Sequence, residues 1–395
     1  MINYILFEND IDRANLLPFT FTRPIAEIRC GILTITDKWK RFLGHSISFK
    51  TQPYLTPKFP IVATNDNVFI NGSVFPNQTL ANEIINLKVG EALFWNEILL
   101  ASRTNSEVET AFHQMLQTTI PCIQKLNFSY DIFSLNGEAI EADFKLITAG
   151  RTSQPISVTN KYVNAERIFI EEGAMVEFSI LNASTGSIYV GKGAEIMEGC
   201  KIRGPFALCD HAGLKMDAKI YPATTVGPYC KVGGEVNNAV FFAYSNKGHD
   251  GFIGNSVIGE WCNIGADTNN SNLKNTYEEV KLWNYRTEKF EKTGLTFCGL
   301  MMGDHSKCGI NTMFNTGTVI GVAANIFGAG FPRNFIPSFA WGGSQGFETF
   351  ILKKAFVTAE AMCQRRGVVF NNIEKDLLSA VYNESAKYRF WEKSI

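Results

Sequence analysis

The stretch SNKGHDGFIGNS, residues 245–256, sets a single histidine among glycines and short polar side chains. An imidazole titrates near neutrality, so His249 is a candidate general base, able to take the proton that a nucleophile sheds as it attacks. The ordinary alternative is a solvated loop histidine, and only the rest of the chain separates the two. Lys247, two residues earlier, is either a cation that holds a phosphate or a solvated loop lysine.

The 395 residues carry 37 Lys and Arg against 38 Asp and Glu, a net charge of -1. No basic footprint for nucleic acid or an anionic membrane is visible, which leaves a small molecule as the expected partner. The length favours two or more domains. Nine cysteines without a CxxC pair suit a reducing compartment better than a disulfide framework or a zinc site, so a cytoplasmic protein is expected. MINYILFEND turns acidic after a few apolar residues, and no stretch reaches the roughly 18 apolar residues of a membrane span. Neither an export signal nor an anchor is expected.

The elements that must position His249 are written as a repeat. An aliphatic residue recurs every sixth position at Val190, Ile196, Ile202, Leu208, Leu214, Ile220, Val226 and Val232. The phase breaks over Val236–Gly251, resumes at Phe252, Ile258 and Ile264, breaks again over Asn269–Phe297, and returns at Met302, Cys308, Phe314, Ile320 and Ile326. A period of six fits neither a helix nor a simple alternating strand and predicts a β-helix of hexapeptide coils. The repeated side chains point inward, and the glycines after Val190, Val226, Val232, Ile264 and Ile320 suit turn geometry. Both breaks are read as loops on a binding face.

The segment EVNNAVFFAYSNKGHDGFIGNSVIGEWCNIGADTNN resembles the acyltransferase region of the bifunctional N-acetylglucosamine-1-phosphate uridylyltransferase/glucosamine-1-phosphate acetyltransferase family. Ser245, Lys247, Gly248 and His249 match its base-bearing loop, Asn263-Ile264-Gly265-Ala266 its later asparagine, and MGDHSKCGINTMFNTGTVIG the coils beside coenzyme A. The resemblance implies a left-handed parallel β-helix, a homotrimer, and transfer of an acetyl group from acetyl-CoA to the amine of an amino-sugar phosphate. His249 is then the general base, Asn263 contacts the sugar, and Lys247 a phosphate. Departures are equally plain. Phe252 stands where the family has a tyrosine hydroxyl, and Asn237 where it has a lysine, with Lys219, Tyr221 and Lys231 nearby as substitutes. The insertion around Trp283, Tyr285, Arg286 and Lys289 is longer than the family's loop and is expected to join the pocket, so the acceptor can differ.

Residues 1–150 lack the six-residue register. Apolar strands at Tyr4–Phe7, Pro60–Ala63 and Val68–Ile70 alternate with helix-like segments at Ile32–Phe42 and Glu107–Gln117, as in an α/β domain. LLPFTFTRP and NDNVFINGSVFP are similar to two signatures of sugar-1-phosphate nucleotidyltransferases. An active member would transfer a nucleotidyl group to a sugar 1-phosphate with Mg2+, giving a nucleotide sugar. Here FENDIDRAN has no phosphate-loop glycine, Ile25 replaces the lysine, and Ser73 the metal aspartate. Arg13, Arg23 and Lys38, with Arg29, are the remaining nucleotide-binding candidates, and Asp66 or Asp143 the remaining metal ligands. The domain is either active or kept for stability and assembly.

Residues 151–345 form the β-helix, and 346–395 two helices expected to close its end, with Asn371 or Asn372 as a cap. Arg333, Arg365 and Arg366 are either contacts for coenzyme A phosphates or a solvated face. Two other readings stay open: a nucleotidyltransferase whose β-helix only oligomerises or regulates, as in ADP-glucose pyrophosphorylase relatives, and a zinc enzyme using His211, His249 and His305.

Overall fold

The computed structural model describes residues 2–394. Two compact units divide the chain: one comprises the residues up to Leu16, Thr22–Ile28 and Leu33–Phe128, the other Leu17–Phe21, Arg29–Ile32 and everything from Ser129.

The first unit is α/β. Strands β1 (Asn3–Phe7), β2 (Ile47–Lys50), β3 (Asn67–Asn71), β4 (Glu91–Trp95), β5 (Ile98–Thr104) and β6 (Gln114–Gln117) make one sheet in the order β2-β1-β3-β5-β4-β6. β1 runs parallel to both neighbours, so its side chains Ile5, Leu6 and Phe7 are buried from both faces. Helices α1 (Asp10–Asn15), α2 (Ile35–Leu43) and α3 (Gln78–Ile85) start at Asn9, Thr34 and Asn77, whose side chains each accept an amide hydrogen of the first turn. Two expectations fail. Glu107–Gln117 is no helix: its end is β6, an edge strand parallel to β4. Pro60–Ala63 is extended beside β2 without a full ladder, held by bonds to the Pro60 and Val62 carbonyls.

The second unit is a left-handed parallel β-helix with helices before and after it. Helices α4 (Asp131–Ser134) and α5 (Asn136–Thr148), within the stretch assigned by sequence to the first domain, group with this unit. Coils begin at Lys161–Val163 and continue to Ala340–Gly343. The six-residue positions from Val190 to Val232 all lie inside the prism, each at most 2% exposed. Ladders of like residues stack along it, for instance Leu208, Val226, Phe241, Ile258, Met302, Ile320 and Ile336 on successive coils. Burying a side chain of that size contributes about 1.5–3 kcal/mol, so the stack is the main source of rigidity for whatever the faces carry.

The first break in the repeat is no loop. Val236, Phe241 and Lys247 pair directly with Ile220, Val226 and Val232, so the coil continues with shorter spacings. It resumes at Ile253, buried opposite Val236, rather than at Phe252, which lies half-buried opposite Glu235. The second break is a true insertion. After Asn269–Asn270 the chain leaves the coil, forms an antiparallel hairpin from Lys281–Asn284 and Lys289–Lys292, and returns at Leu300–Met302.

The turn glycines avoid a Cβ clash, as expected, but not by taking a left-handed conformation. Gly227 and Gly265 are not in the left-handed region; a Cβ there would collide with the carbonyl oxygens of Phe242 and Gly309 on the next coil. Left-handed turns instead fall on aromatic residues at one corner: His211, Tyr229, Tyr244, Trp261 and His305, with φ of 57°, 59°, 55°, 59° and 60°. Each costs roughly 1–2 kcal/mol of backbone strain. Their rings stack at 4.9, 4.9, 4.2 and 6.3 Å, which offsets about 0.5–1.5 kcal/mol per pair.

At the other end, α6 (Leu352–Gln364) and α7 (Asn372–Glu384) follow the last coil, and Asn371 is the cap of α7. The residues after α6 do more than close the end: Arg366 reaches back to donate to Asn246 Oδ1 at 2.9 Å.

Candidate functional site

Parallel coils place equivalent residues about 4.8 Å apart, one above the next. On one sheet of the prism this lines up Lys231, Asn246, Asn263 and Lys307. Each immediately precedes an inward residue, so each faces outward. Beside this row runs the turn holding Gly248 and His249. Tyr244 and Trp261 of the aromatic corner flank it, and Met362, Arg365 and Arg366 come from the end of α6. Together they line a cavity of about 770 Å³. Lys215, Lys231, Lys307, Arg365 and Arg366 contribute five cations to its wall, and among the described residues no carboxylate joins them.

His249 is exposed in this cavity, and among the described residues no hydrogen bond or ion pair engages its imidazole. Its backbone is held from inside. Lys247 takes the position in which neighbouring coils carry Val232 and Ile264, and is 1% exposed. Its ammonium donates to the carbonyl oxygens of His249 at 2.7 Å and Asp250 at 3.2 Å. Burial pushes its pKa down to about 8. The expected phosphate contact of Lys247 is therefore corrected: the side chain points into the prism and fixes the histidine turn. Ser245 instead ties its coil to the next, accepting from Cys262 N at 2.8 Å and donating to Gly259 O at 2.7 Å.

Lys307 faces the cavity, with its ammonium donating to His305 O at 2.7 Å and its pKa pushed down to about 8 by burial. A cation so poised is charged at neutral pH yet poorly solvated, which favours pairing with an anion.

Asn263 and Lys231 line the same cavity as His249. Asn237 and Phe252 do not line the cavity. They lie on a neighbouring sheet, Asn237 paired with Tyr221 and Gly254, and Phe252 with its N–H on Asn269 Oδ1. Their expected substrate contacts are corrected accordingly. The contributions of Lys215, Lys307, Tyr244 and Trp261 were missed, although aligning the coils on their inward residues would have exposed Lys307. Trp283 and its hairpin line a different cavity. His211, His249 and His305 form no metal cluster, and no group of three or more metal-binding side chains occurs among the described residues.

In the first unit the nucleotide-binding candidates are enclosed. Arg13 is 8% exposed and committed to Glu8 at 3.0 Å and Tyr54 Oη at 2.6 Å. Arg23 and Lys38 are each 4% exposed, Lys38 over the Phe75 ring. Where a phosphate loop would follow β1, the Glu8 carboxylate accepts from Ile25 N. Asp12 pairs with Lys125 at 2.8 Å and accepts from Ser73. Asp66 is held by two bonds from Arg103, and Asp143, in the other unit, accepts from Ile32 N. These carboxylates are thus engaged by cations and amides.

Comparison with known proteins bears first on this unit. Residues 4–152 match the family model described as sugar nucleotidyl transferase. The match ends at residue 152, before the first coil of the β-helix. No curated protein matches. Among solved structures it is similar to a UDP-N-acetylglucosamine acyltransferase of Francisella novicida, 10% identical, with 58% of this chain and 87% of that one covered and a TM-score of 0.30. An Arabidopsis UDP-N-acetylglucosamine acyltransferase is 13% identical over 61% and 97%, TM-score 0.24. AntD, an N-acyltransferase from Bacillus cereus in complex with dTDP and coenzyme A, is 11% identical over 52% and 91%, TM-score 0.22.

Proposed function

We propose that the β-helix transfers an acyl group, acetyl in the simplest case, from acyl-CoA to the amine of an amino-sugar phosphate or nucleotide sugar. One observation carries this reading: among the described residues, an uncommitted imidazole, His249, stands in a cavity with five cations and no carboxylate. Such a wall suits a phosphorylated acceptor and the phosphates of coenzyme A. The amine lone pair attacks the thioester carbonyl carbon, and His249 takes the amine proton. The tetrahedral intermediate then expels the thiolate of coenzyme A, which recovers that proton from the imidazolium. Asn263 orients the sugar through its amide. Lys231, Lys215 and Arg366 hold phosphate, and Lys307 meets the charge nearest the row. Lys247 acts only through His249, by holding its carbonyl.

The reading extends to a homotrimer working in the cytoplasm. No helix among the described residues is long and apolar enough to cross a membrane. For the first unit we propose no nucleotidyl transfer, because Glu8 and Asp12 engage Arg13 and Lys125 where phosphates would need them free.

The test is release of free thiol from acetyl-CoA with a panel of amino-sugar phosphates and amino nucleotide sugars. Acceptor-dependent release supports the reading, and its absence with every acceptor and acyl chain length overturns it. Pyrophosphate release from UTP or dTTP with sugar 1-phosphates tests the first unit separately.

A further inference from the structure

The insertion that interrupts the repeat builds a second cavity, of about 810 Å³, which shares no residue with the wall around His249. In the hairpin, Trp283 is the cross-strand partner of Phe290, their rings meeting edge to face at 5.5 Å. Trp283 also lies parallel to Phe335 of the β-helix at 4.3 Å and 13°. Tyr388 and Phe390, after α7, complete an aromatic lining. Phe290 and Phe390 are each left 43% exposed around the opening, an unusual state for two phenylalanines beside a concave surface.

Charge is distributed just as unevenly. Among the described residues Glu288 is the only carboxylate in the lining, and Lys387 neutralises it at 2.9 Å. Lys274 is drawn to the Glu279 carbonyl at 3.0 Å. Lys281 and Arg333 remain: among the described residues neither side chain has a hydrogen bond or ion pair, and the Arg333 guanidinium lies 5.3 Å over the Phe390 ring. A guanidinium displayed on an aromatic ring, with its donors open, is suited to a phosphate next to a stacked ring.

We propose that this cavity is a second ligand site, which takes a nucleotide: a planar base against the exposed aromatic faces and its phosphates on Arg333 and Lys281. The volume lies within the range of small-molecule sites, roughly 300–1,000 Å³. Base stacking on aromatic side chains tolerates any base, so the chemistry fixes the class rather than the identity. A wholly apolar occupant would leave two uncommitted cations without a partner. A bare phosphate would leave the rings exposed.

The experiment is isothermal titration of the full-length protein with ADP, UDP and coenzyme A, and with adenosine and inorganic phosphate as fragments. Wild-type protein binds at least one of the nucleotides and binds both fragments more weakly. Arg333→Ala weakens nucleotide binding about tenfold or more without disturbing the fold, since among the described residues its side chain makes no hydrogen bond or ion pair and only overlies the Phe390 ring. Trp283→Ala weakens adenosine and nucleotide alike. His249→Ala leaves binding here unchanged, so failure of the acyl-transfer reading and failure of this one are distinguishable. Coenzyme A that competes with ADP marks the adenosine end of an acyl donor as the source; ADP or UDP binding without competition marks a free nucleotide. Binding indifferent to Arg333→Ala, or no nucleotide binding at millimolar concentration, overturns the proposal. So does self-association that Phe390→Ser abolishes in protein that binds no nucleotide, for then a second copy covers the rings.

Discussion

Replacing Lys247 by methionine separates what holds the His249 turn from what holds the prism. The side chain sits in a stack of Val232 and Ile264, where methionine fits in length and volume. The native ammonium is destabilised by burial, so its pKa is about 8 instead of 10.5. Between those values the unfolded chain binds more protons at this site than the folded one, and stability rises with pH. The cost of the buried charge is fully present below about pH 8 and is relieved as pH climbs toward 10.5. From pH 7 to pH 9 the relief amounts to about 1.4 kcal/mol. Buried thiols act in the opposite sense, with Cys200 and Cys209 pushed up to about 11 and Cys230 to about 12. Above their ordinary values they favour the unfolded chain, so the raw pH profile of either protein is a mixture. The difference between the two proteins is not, because the thiols are common to both. Urea unfolding at pH 7 and pH 9 reads it: the wild type should gain about 1.4 kcal/mol relative to Lys247→Met over that interval. At pH 7 the variant loses the two hydrogen bonds that hold the His249 and Asp250 carbonyls from inside the coil. Its turn should therefore exchange amide hydrogens faster while the coils do not. Identical pH dependence in the two proteins, or loss of the whole fold, would refute the placement of this ammonium inside the coil.

Three further outcomes follow from the geometry. Gly227→Ala should destabilise the β-helix by about 2–3 kcal/mol in urea, because its Cβ meets a backbone carbonyl that cannot swing away. Lys125→Met should cost the first unit about 3–5 kcal/mol by leaving Asp12 charged and unpaired, and should change no pyrophosphate release. Lys231→Ala and Arg366→Ala should raise the KM for a phosphorylated acceptor or for acyl-CoA at least as much as they lower kcat, with the difference from wild type shrinking as salt is added.

The β-helix was legible because its inward residues obey a period that no other element shares, and from Val190 to Val232 each named position is buried. The register failed at Phe252 for a physical reason: the coil from Glu235 is shortened, so Val236, Phe241 and Lys247 serve as inward residues at spacings a strict six cannot follow. The same shortening hid Lys247, which as text is one more loop lysine. His249 and Asn263 were legible from their types and context. The cations around them were not, since Lys215, Lys307 and the end of α6 come together through stacking of coils and a helix that returns from far along the chain. Glu107–Gln117 misled because a mixed polar and apolar edge strand carries too little alternation to outweigh a helical reading. The left-handed aromatic corner was not foreseen at all: positive φ is the habit of glycine and asparagine, and at this corner stacking between coils offsets part of its cost for tyrosine and tryptophan.

The most direct measurement is single-turnover transfer of labelled acetyl from acetyl-CoA to the best acceptor, compared between wild type and His249→Ala at saturating substrate. The imidazole has no structural partner among the described residues, so the substitution should leave folding and coenzyme A affinity intact. The transfer rate should fall about 10²–10⁴-fold, the usual contribution of a positioned general base. A variant that transfers acetyl at the wild-type rate would contradict the assignment of His249, and with it the reading of this cavity as an acyl-transfer site.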